Sequence, residues 1–237
     1  MKGKLYGIGV GPGDPELLTI KAVNTVNKCS VIAVPITGKG ERTAFSIVEQ
    51  YLGGKELLEC RFAMEKDMAK RKESRKAAAD GIIRFLEAGK DVGFITLGDP
   101  TTYSTYMYVH EIIVALGFNA EIIPGITSFA GAAAAFGTAL CEDDEVLTII
   151  PALHHGTINE LLDRPGNKVI MKSGENLSHV LSELKKRGYA ERTKIAYRVS
   201  LDGEQLFESI EAYEAGKSGD NAINSGYFTL VIVKENE

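Results

Sequence analysis

Three glycine-rich turns in the sequence carry residue types that can hold a small polar ligand. They are residues 7–14 (GIGVGPGD), residues 96–103 (TLGDPTTY) and residues 123–129 (IPGITSF). Glycine lets the main chain approach a ligand closely, while the Asp99 carboxylate and the Ser128 hydroxyl can bond to its polar groups. The chemistry expected of the three turns is therefore recognition of a polar ligand by the main chain and a few short side chains.

Each turn also has a purely structural explanation. Asp14 and Asp99 can each cap a helix whose first residue is the proline that follows, and Thr127 or Ser128 can cap the helix after the third turn. Taken one at a time, the turns leave both explanations open.

The first turn fits neither of the common nucleotide motifs. A dinucleotide-binding fold needs an acidic residue near the end of its second strand, and residues 31–40 contain no carboxylate. A phosphate-binding loop needs Lys-Ser or Lys-Thr after the last glycine, where Asp14-Pro15 stands instead. Both nucleotide readings are disfavoured.

Short apolar runs that predict β-strands precede all three turns. In the first half of the chain, strands are predicted at residues 4–10, 31–34, 57–62, 91–97 and 120–123, and helices at 16–27, 44–51, 67–86 and 103–116. This alternation of strands and helices predicts a mostly parallel sheet. Open parallel sheets bind ligands at the carboxyl ends of their strands, which is where the turns lie.

The second half of the chain has a less regular pattern. Strands are predicted at residues 146–150, 168–171, 194–199 and 227–233, and helices at 157–162 and 177–187. Pro124-Gly125 ends the first pattern, so we place a domain boundary there. The predicted fold is α/β with two domains, residues 1–123 around a mostly parallel sheet and residues 124–237 around a mixed one.

Composition and charge argue against several functional classes. A net charge of −5 gives no general attraction to nucleic acid or anionic lipid. The uncharged residues 122–140 are interrupted by proline and glycine, which favours a buried turn and helix over a membrane span. The cysteines and histidines form neither a disulfide framework nor a metal-ligand set. We expect a cytoplasmic protein with no bound metal and no nucleic-acid or membrane partner.

Taken together, the turns are far more specific than any one of them. The ordered set GxGPGDPELLT, LGDPxxYST and PGITS resembles the tetrapyrrole methylase family, and the match spans essentially the whole chain. The stretch GDPTTYSTY and the later PGITSFAGAAAAFGTAL most resemble the branch that methylates C20 of precorrin-2 or of cobalt-factor II, its cobalt form. The triplet Phe62-Ala63-Met64 before the long helix supports the same branch.

This resemblance implies a cosubstrate, a substrate and a set of contacts. It implies S-adenosylmethionine bound in a cleft between two α/β domains, a homodimer, and an anionic tetrapyrrole as the methyl acceptor. Carried over by position, the implied cosubstrate contacts are Pro12, Leu97, Gly98, Asp99, Thr102, Thr127, Ser128, Met171, Ala196, Ser200 and Thr229.

No catalytic residue is assigned. A related branch that forms siroheme has an aspartate, proposed there as a base, at the end of its second strand, where this sequence has Pro35. Asp99, Tyr103 and Tyr106 remain open as proton acceptors, although tyrosines at helical spacing commonly pack in a core.

A polyanionic substrate needs a local basic cluster. Residues 61–76 contain seven basic and three acidic side chains, which can bind carboxylates or simply form a solvated helix face. Lys39 and Arg42, just past the second strand, are further candidates. Two alternative functions stay open: methylation of a different ring carbon by another tetrapyrrole methylase, and a non-catalytic nucleotide-binding module.

Overall fold

The computed structural model describes residues 1–37, 42–63, 67–152, 158–216 and 228–235. The chain divides into two units, Met1–Thr127 and Ser128–Glu237, each with a five-stranded sheet and its own helices. One sheet is parallel and the other is mixed, so the predicted class of two α/β domains is confirmed.

The first unit contains a fully parallel sheet. Its strands are β1 (Leu5–Gly9), β2 (Val31–Thr37), β3 (Glu56–Phe62), β4 (Val92–Thr96) and β5 (Ala120–Ile123), and they lie in the order β3-β2-β4-β1-β5. Its helices are α1 (Ile20–Lys28), α2 (Thr43–Val48), α3 (Met68–Glu87) and α4 (Tyr106–Ala115). Both sides of β1 are buried, so its residues are apolar or glycine throughout.

Alternate residues of these strands pack on opposite faces of the sheet. On β1, Leu5 lies in the core formed with α3 and α4, whereas Tyr6 and Ile8 lie in the core formed with α1 and α2. Helix α3 contributes buried side chains at Ala78, Ala79, Ile82 and Leu86, the spacing of one helix face. The central strands, and the turns that follow them, are thus held from both sides.

Two predicted helices begin later than the sequence pattern indicates. The helix expected at residues 16–27 is a 3-10 helix, Pro15–Leu17, followed by α1. The reason is that Asp14 accepts a hydrogen bond from the Glu16 N–H at 2.8 Å and Thr19 caps α1 separately. The helix expected from residue 103 begins at Tyr106, because Tyr103 has a left-handed φ of 52°.

The second unit contains a mixed sheet. Its strands are β6 (Leu147–Pro151), β7 (Asn167–Met171), β8 (Thr193–Tyr197), β9 (Gln205–Phe207) and β10 (Thr229–Val233), in the order β6-β7-β10-β8-β9. Only the β6–β7 pair is parallel. Its helices are α5 (Ser128–Phe136), α6 (Ile158–Leu162), α7 (Leu177–Lys186) and α8 (Ile210–Gly216), and neither β9 nor α8 is predicted from the sequence.

The helices of the second unit also cover both faces of its sheet. Side chains of α6, α7 and α8 share a core with Ile170, Ile195 and Val231, and those of α5 share another with Val169 and Ala196. In the uncharged run at residues 122–140, a turn joins β5 to α5. Residues 131–133 of the helix are buried, whereas the turn at residues 124–127 is exposed or half-buried, so the expectation of a buried turn is wrong. No helix within the described ranges is long and apolar enough to span a bilayer.

Candidate functional site

The three glycine-rich turns meet at the carboxyl edge of the first sheet. They follow β1, β4 and β5, which are neighbours in the order β4-β1-β5 and run parallel. Gly11 and Gly98 exchange both main-chain hydrogen bonds, at 3.2 Å and 2.7 Å, and both have a left-handed φ, +77° and +69°. Glycine takes this backbone conformation without strain, which explains its presence at both positions.

The main chains of these turns approach so closely that no side chain fits between them. A Cβ atom added to Gly125 would lie 2.2 Å from the Gly98 carbonyl oxygen, and one added to Gly9 would lie 2.6 Å from the Gly125 nitrogen. At least part of the glycine pattern is therefore required by packing of main chain against main chain.

Asp99 links the second turn to the third. Its side chain is only 8% exposed. Oδ1 accepts hydrogen bonds from the Thr101 N–H at 2.8 Å and from the Thr101 hydroxyl, and Oδ2 accepts one from the Gly125 N–H at 3.0 Å. No helix begins at Pro100, so the helix-cap explanation of Asp99 is wrong. Each carboxylate oxygen can accept two hydrogen bonds, which leaves Oδ2 able to accept one more from a ligand.

The other predicted contacts of the first unit lie around this link. Pro12 is buried next to Gly11, and Leu97 packs partly buried against the α1 and α2 core. The Thr102 N–H donates to the Asp99 carbonyl oxygen at 3.3 Å, and Thr127 follows Gly125 by two residues. The six predicted residues of this unit are thus gathered at one edge, while Ser128 begins α5 of the second unit.

In the second unit, the predicted contacts lie on three neighbouring strands. Met171 ends β7, Thr229 begins β10, and Ala196 lies in β8 opposite Leu230. Because β10 runs antiparallel to both neighbours, its first residue lies beside the ends of β7 and β8. Ser200 follows β8 by three residues.

Two hydroxyl groups at this end of the second sheet are buried and have no hydrogen-bond partner within the described ranges. They belong to Thr229, which is 2% exposed, and to Ser173, which is 1% exposed. A buried polar group without a partner costs about 1–3 kcal/mol, so such groups call for an explanation such as a ligand. Ser173 is not among the residues predicted from the sequence, since only its surroundings distinguish it from other serines.

The same end of the second sheet carries unusual backbone geometry. Lys172, Arg198 and Ser200 have φ values of 56°, 53° and 59°, in the left-handed region that residues other than glycine seldom occupy. Such outliers cluster at ligand-binding and catalytic sites, where the surrounding structure enforces them.

The two tyrosines left open as proton acceptors have different environments. Tyr106 is 0% exposed, packs against Phe94 and His110, and lies over Gly7, where an added Cβ would be 2.0 Å from its ring. Burial raises the pKa of its phenol. Tyr106 is therefore a core residue and no proton acceptor for a bound ligand, whereas Tyr103 is exposed.

Several members of the predicted basic cluster already have partners. Arg42 and Arg61 both pair with Glu59, and the guanidinium carbon of Arg75 lies 3.4 Å from the ring centroid of Tyr108. Lys39, Met64 and Lys66 lie outside the described residues, as do His154 and His155. Within the part of the chain that is described, no three His, Cys, Asp or Glu side chains form a group that could hold a metal ion.

The turns that meet in the first unit are the features on which the family resemblance rests. Residues 4–212 match the family model of the tetrapyrrole (corrin/porphyrin) methylases. The chain belongs to this family. Tetrapyrrole methylases use S-adenosylmethionine as their methyl donor, and the predicted family is thereby confirmed.

Individual members of the tetrapyrrole methylases are similar to the chain over nearly its full length. A Methanocaldococcus jannaschii protein named probable cobalt-precorrin-2 C(20)-methyltransferase is 38% identical over 234 residues, 98% of this chain and 96% of the relative. The cobalt-precorrin-2 C(20)-methyltransferase of Salmonella typhimurium is 32% identical, with coverage of 89% and 90%. The structure of a Thermus thermophilus uroporphyrin-III C-methyltransferase complexed with S-adenyl homocysteine matches 98% of both chains, with a TM-score of 0.69 at 20% identity.

Proposed function

We propose that this tetrapyrrole methylase transfers the methyl group of S-adenosylmethionine to C20 of precorrin-2 or of cobalt-factor II, in cobalamin biosynthesis. The observation that carries the proposal is the 38% identity to a relative named probable cobalt-precorrin-2 C(20)-methyltransferase, which extends through both units. The neighbouring turns at residues 7–14, 96–103 and 123–129 support it, because they hold main-chain groups and the Asp99 carboxylate at one sheet edge.

The described residues fit the cosubstrate in two ways. In the first unit, six predicted contacts lie around the closely packed main chain of the turns, and Asp99 keeps one acceptor position for a ligand. These six residues are Pro12, Leu97, Gly98, Asp99, Thr102 and Thr127. In the second unit, the Thr229 hydroxyl has no partner among the described residues, and Thr229 lies opposite Tyr197 at the end of the sheet where Met171 ends β7. We propose that these residues, with Ser128 and Ser200, bind S-adenosylmethionine. The residues of the first unit bind its methionine and ribose parts, and those of the second unit bind the remainder of the molecule.

Methyl transfer requires the protein mainly to align the two reactants and to exclude water. S-adenosylmethionine supplies a methyl group already activated by its sulfonium, so the residues at the site need only hold donor and nucleophilic carbon in line and exclude water. No covalent intermediate on the protein is required. Pro35 and the buried Tyr106 cannot act as bases, and the group that accepts the C20 proton is not assigned.

Three finer properties belong to the same proposal. We infer a homodimer, a location in the cytoplasm, and no nucleic-acid or membrane partner, which is consistent with the net charge of −5. Light scattering of the purified protein at several concentrations measures the oligomeric state, and a monomer throughout would remove the dimer from the proposal.

The deciding experiment follows the methyl group. The purified protein is incubated with S-adenosylmethionine carrying a labelled methyl group and with either precorrin-2 or cobalt-factor II, and the product is analysed by mass spectrometry and NMR. One added methyl at C20 is expected. A methyl at another carbon would identify a different methylase of the family, and cosubstrate binding without turnover on either tetrapyrrole would favour the non-catalytic module.

A further inference from the structure

Arg198 occupies a strained position at the end of β8. Its φ of 53° lies in the left-handed region, which few arginines adopt. The conformation is fixed on both sides: the Arg198 N–H donates to the Phe228 carbonyl oxygen at 3.2 Å, and the Arg198 carbonyl oxygen accepts from the Leu201 N–H at 2.9 Å. The backbone thus sets the direction in which this side chain leaves the strand.

The guanidinium group of Arg198 is held in place without a counter-charge from the described part of the chain. Nε donates to the Asp202 carbonyl oxygen at 2.7 Å, and the guanidinium carbon lies 5.5 Å from the ring centroid of Phe228. Among the described residues, no carboxylate pairs with its two terminal nitrogens. Arg187, by contrast, pairs with both Asp163 and Glu183. Arg198 is therefore a preorganised cation that can still form a bidentate pair.

The position of Arg198 places this cation beside the predicted cosubstrate contacts of the second unit. Thr229 lies opposite Tyr197, the residue before Arg198. Ser173 follows the end of β7 by two residues, and the Arg198 N–H donates to the carbonyl oxygen of Phe228, the residue before β10. The terminal guanidinium nitrogens of Arg198 and the hydroxyls of Ser173 and Thr229, none of which has a side-chain partner among the described residues, thus belong to the same end of one sheet.

We propose that Arg198 binds carboxylate groups on the rim of the tetrapyrrole substrate and so sets its affinity and orientation. The class of ligand follows from the donor set, because a planar guanidinium with two free terminal nitrogens matches a carboxylate. The identity of that ligand as a tetrapyrrole rests on the proposed function. A cation held by Asp202 and Phe228 loses little conformational entropy when it binds.

Replacement of the charge tests this role. In Arg198→Gln, we expect the KM for the tetrapyrrole to rise about tenfold or more, as for loss of a charge-assisted bidentate pair, with kcat changed by less than about threefold. The affinity for S-adenosylhomocysteine, measured by calorimetry, stays within about twofold of the parent value. Arg198→Lys keeps the charge without the planar fork and recovers part of the affinity.

Two controls separate binding from folding. Arg192→Gln removes an arginine just before the other end of β8, where its guanidinium donates to the Glu235 carbonyl oxygen, and it should leave the tetrapyrrole KM unchanged. Arg198→Asn places a residue that tolerates the left-handed conformation and should reproduce the effect of Arg198→Gln. An unchanged KM in both Arg198→Gln and Arg198→Asn, or an equal loss in Arg192→Gln, overturns the inference.

A second measurement keeps this result apart from the proposed function. Absorbance titration with uroporphyrin III, a stable tetrapyrrole with carboxylates on its rim, reports binding without methyl transfer. If the parent protein fails to methylate C20, the proposed function falls, while weaker uroporphyrin binding by Arg198→Gln still supports the carboxylate contact. If the parent methylates C20 and Arg198→Gln binds both tetrapyrroles like the parent, only the Arg198 inference falls.

Discussion

The ends of the two sheets that carry the predicted cosubstrate contacts are built in opposite ways. In the first unit, the turns bond to one another: Gly11 to Gly98 through the main chain, and Asp99 to Gly125 through a buried carboxylate. In the second unit, the hydroxyls of Thr229 and Ser173 are buried with no partner in the described part of the chain. The first edge satisfies its polar groups mainly by internal bonds and leaves one acceptor position on Asp99, whereas the second leaves two buried hydroxyls for a ligand to satisfy.

This difference predicts how substitutions at the two edges behave. A change in the first edge breaks contacts that the folded protein makes with itself, so it lowers stability and cosubstrate binding together. A change in the second edge removes a hydroxyl that bonds to none of the described residues, so binding weakens while stability is kept or improved. Measuring both quantities on each variant tests whether the contrast is real.

Gly125→Ala should have the largest effect. The new Cβ would lie 2.2 Å from the Gly98 carbonyl oxygen and 2.9 Å from the Gly9 Cα, so the main chain of the turns must separate. We expect a loss of about 3 kcal/mol or more in the free energy of unfolding, at the upper end of overpacking effects, together with loss of S-adenosylhomocysteine binding. Urea denaturation and calorimetry measure the two quantities.

The matched control for this variant is Gly53→Ala. Nothing lies within 4 Å of a Cβ added to Gly53, so the free energy of unfolding should change by less than about 0.5 kcal/mol. A Gly125→Ala protein as stable as Gly53→Ala would mean that the turns are not packed as described.

Asp99→Ala should have the next largest effect. The change leaves the partly buried hydrogen bonds of the Thr101 and Gly125 N–H groups without their acceptor, so the free energy of unfolding should fall by about 1–3 kcal/mol. The affinity for S-adenosylhomocysteine should fall as well, because the third turn is released from the second. Asp14→Ala, which removes a cap from a three-residue 3-10 helix, is the control and should cost less.

The outcome for Asp99 also distinguishes its two roles. Loss of binding with unchanged stability would make the carboxylate a ligand contact that contributes little to the fold. Loss of stability with unchanged affinity in the remaining folded protein would remove it from the cosubstrate site.

Thr229→Val should have the opposite effect on stability. Its hydroxyl has no partner among the residues that the structure describes, so removing it should leave the free energy of unfolding unchanged or raise it by up to about 1 kcal/mol, while the affinity for S-adenosylhomocysteine falls. Thr193→Val is the matched control, because the Thr193 hydroxyl donates to the Tyr189 carbonyl oxygen at 2.6 Å and its removal should be destabilising. If Thr229→Val destabilises as much as Thr193→Val, the second edge is satisfied in some other way and the contrast fails.

Much of the fold could be predicted because its signals are local. The strand at residues 4–10 is a short apolar run bounded by a glycine turn, and the helix at 67–86 has a capping aspartate and one apolar face. The misses are also local in origin. Strand β9 has only three residues, too few for a period to show, and the break between Leu17 and Ile20 depends on two capping residues close together.

The site was harder to predict because its decisive features are relations between distant residues. The sequence places Asp99 in a turn but does not pair it with Gly125, 26 residues later. Nothing in its neighbours marks Ser173 as a serine whose hydroxyl lacks a partner, or Arg198 as left-handed. Such features depend on how strands pair in register, and sequence patterns carry little information on long-range pairing.

The opposite edge of the first sheet provides the smallest predicted effect. There, Glu121 of β5 accepts hydrogen bonds from Lys21 and Lys4, both at 2.7 Å, and these lower the pKa of its carboxyl to about 2. A carboxyl that ionises more readily in the folded state stabilises it above the ordinary pKa near 4.5, and this contribution is lost as the pH falls from there toward 2. The pairs are exposed to solvent, so the contribution is small and is screened by salt.

Glu121→Gln should therefore lower the urea midpoint of the first unit slightly at pH 7, and by progressively less as the pH falls from about 4.5 toward 2. Cosubstrate affinity should stay at the parent value, because the residue lies at the amino ends of the strands, away from the three turns. Glu183→Gln is the matched control, since Lys186 and Arg187 lower the pKa of that carboxyl to about 2 in the second unit. A Glu121→Gln protein that loses cosubstrate affinity would show that the amino and carboxyl ends of the first sheet are coupled. In that case, the difference between the two ligand-facing edges would not depend on the residues at those edges alone.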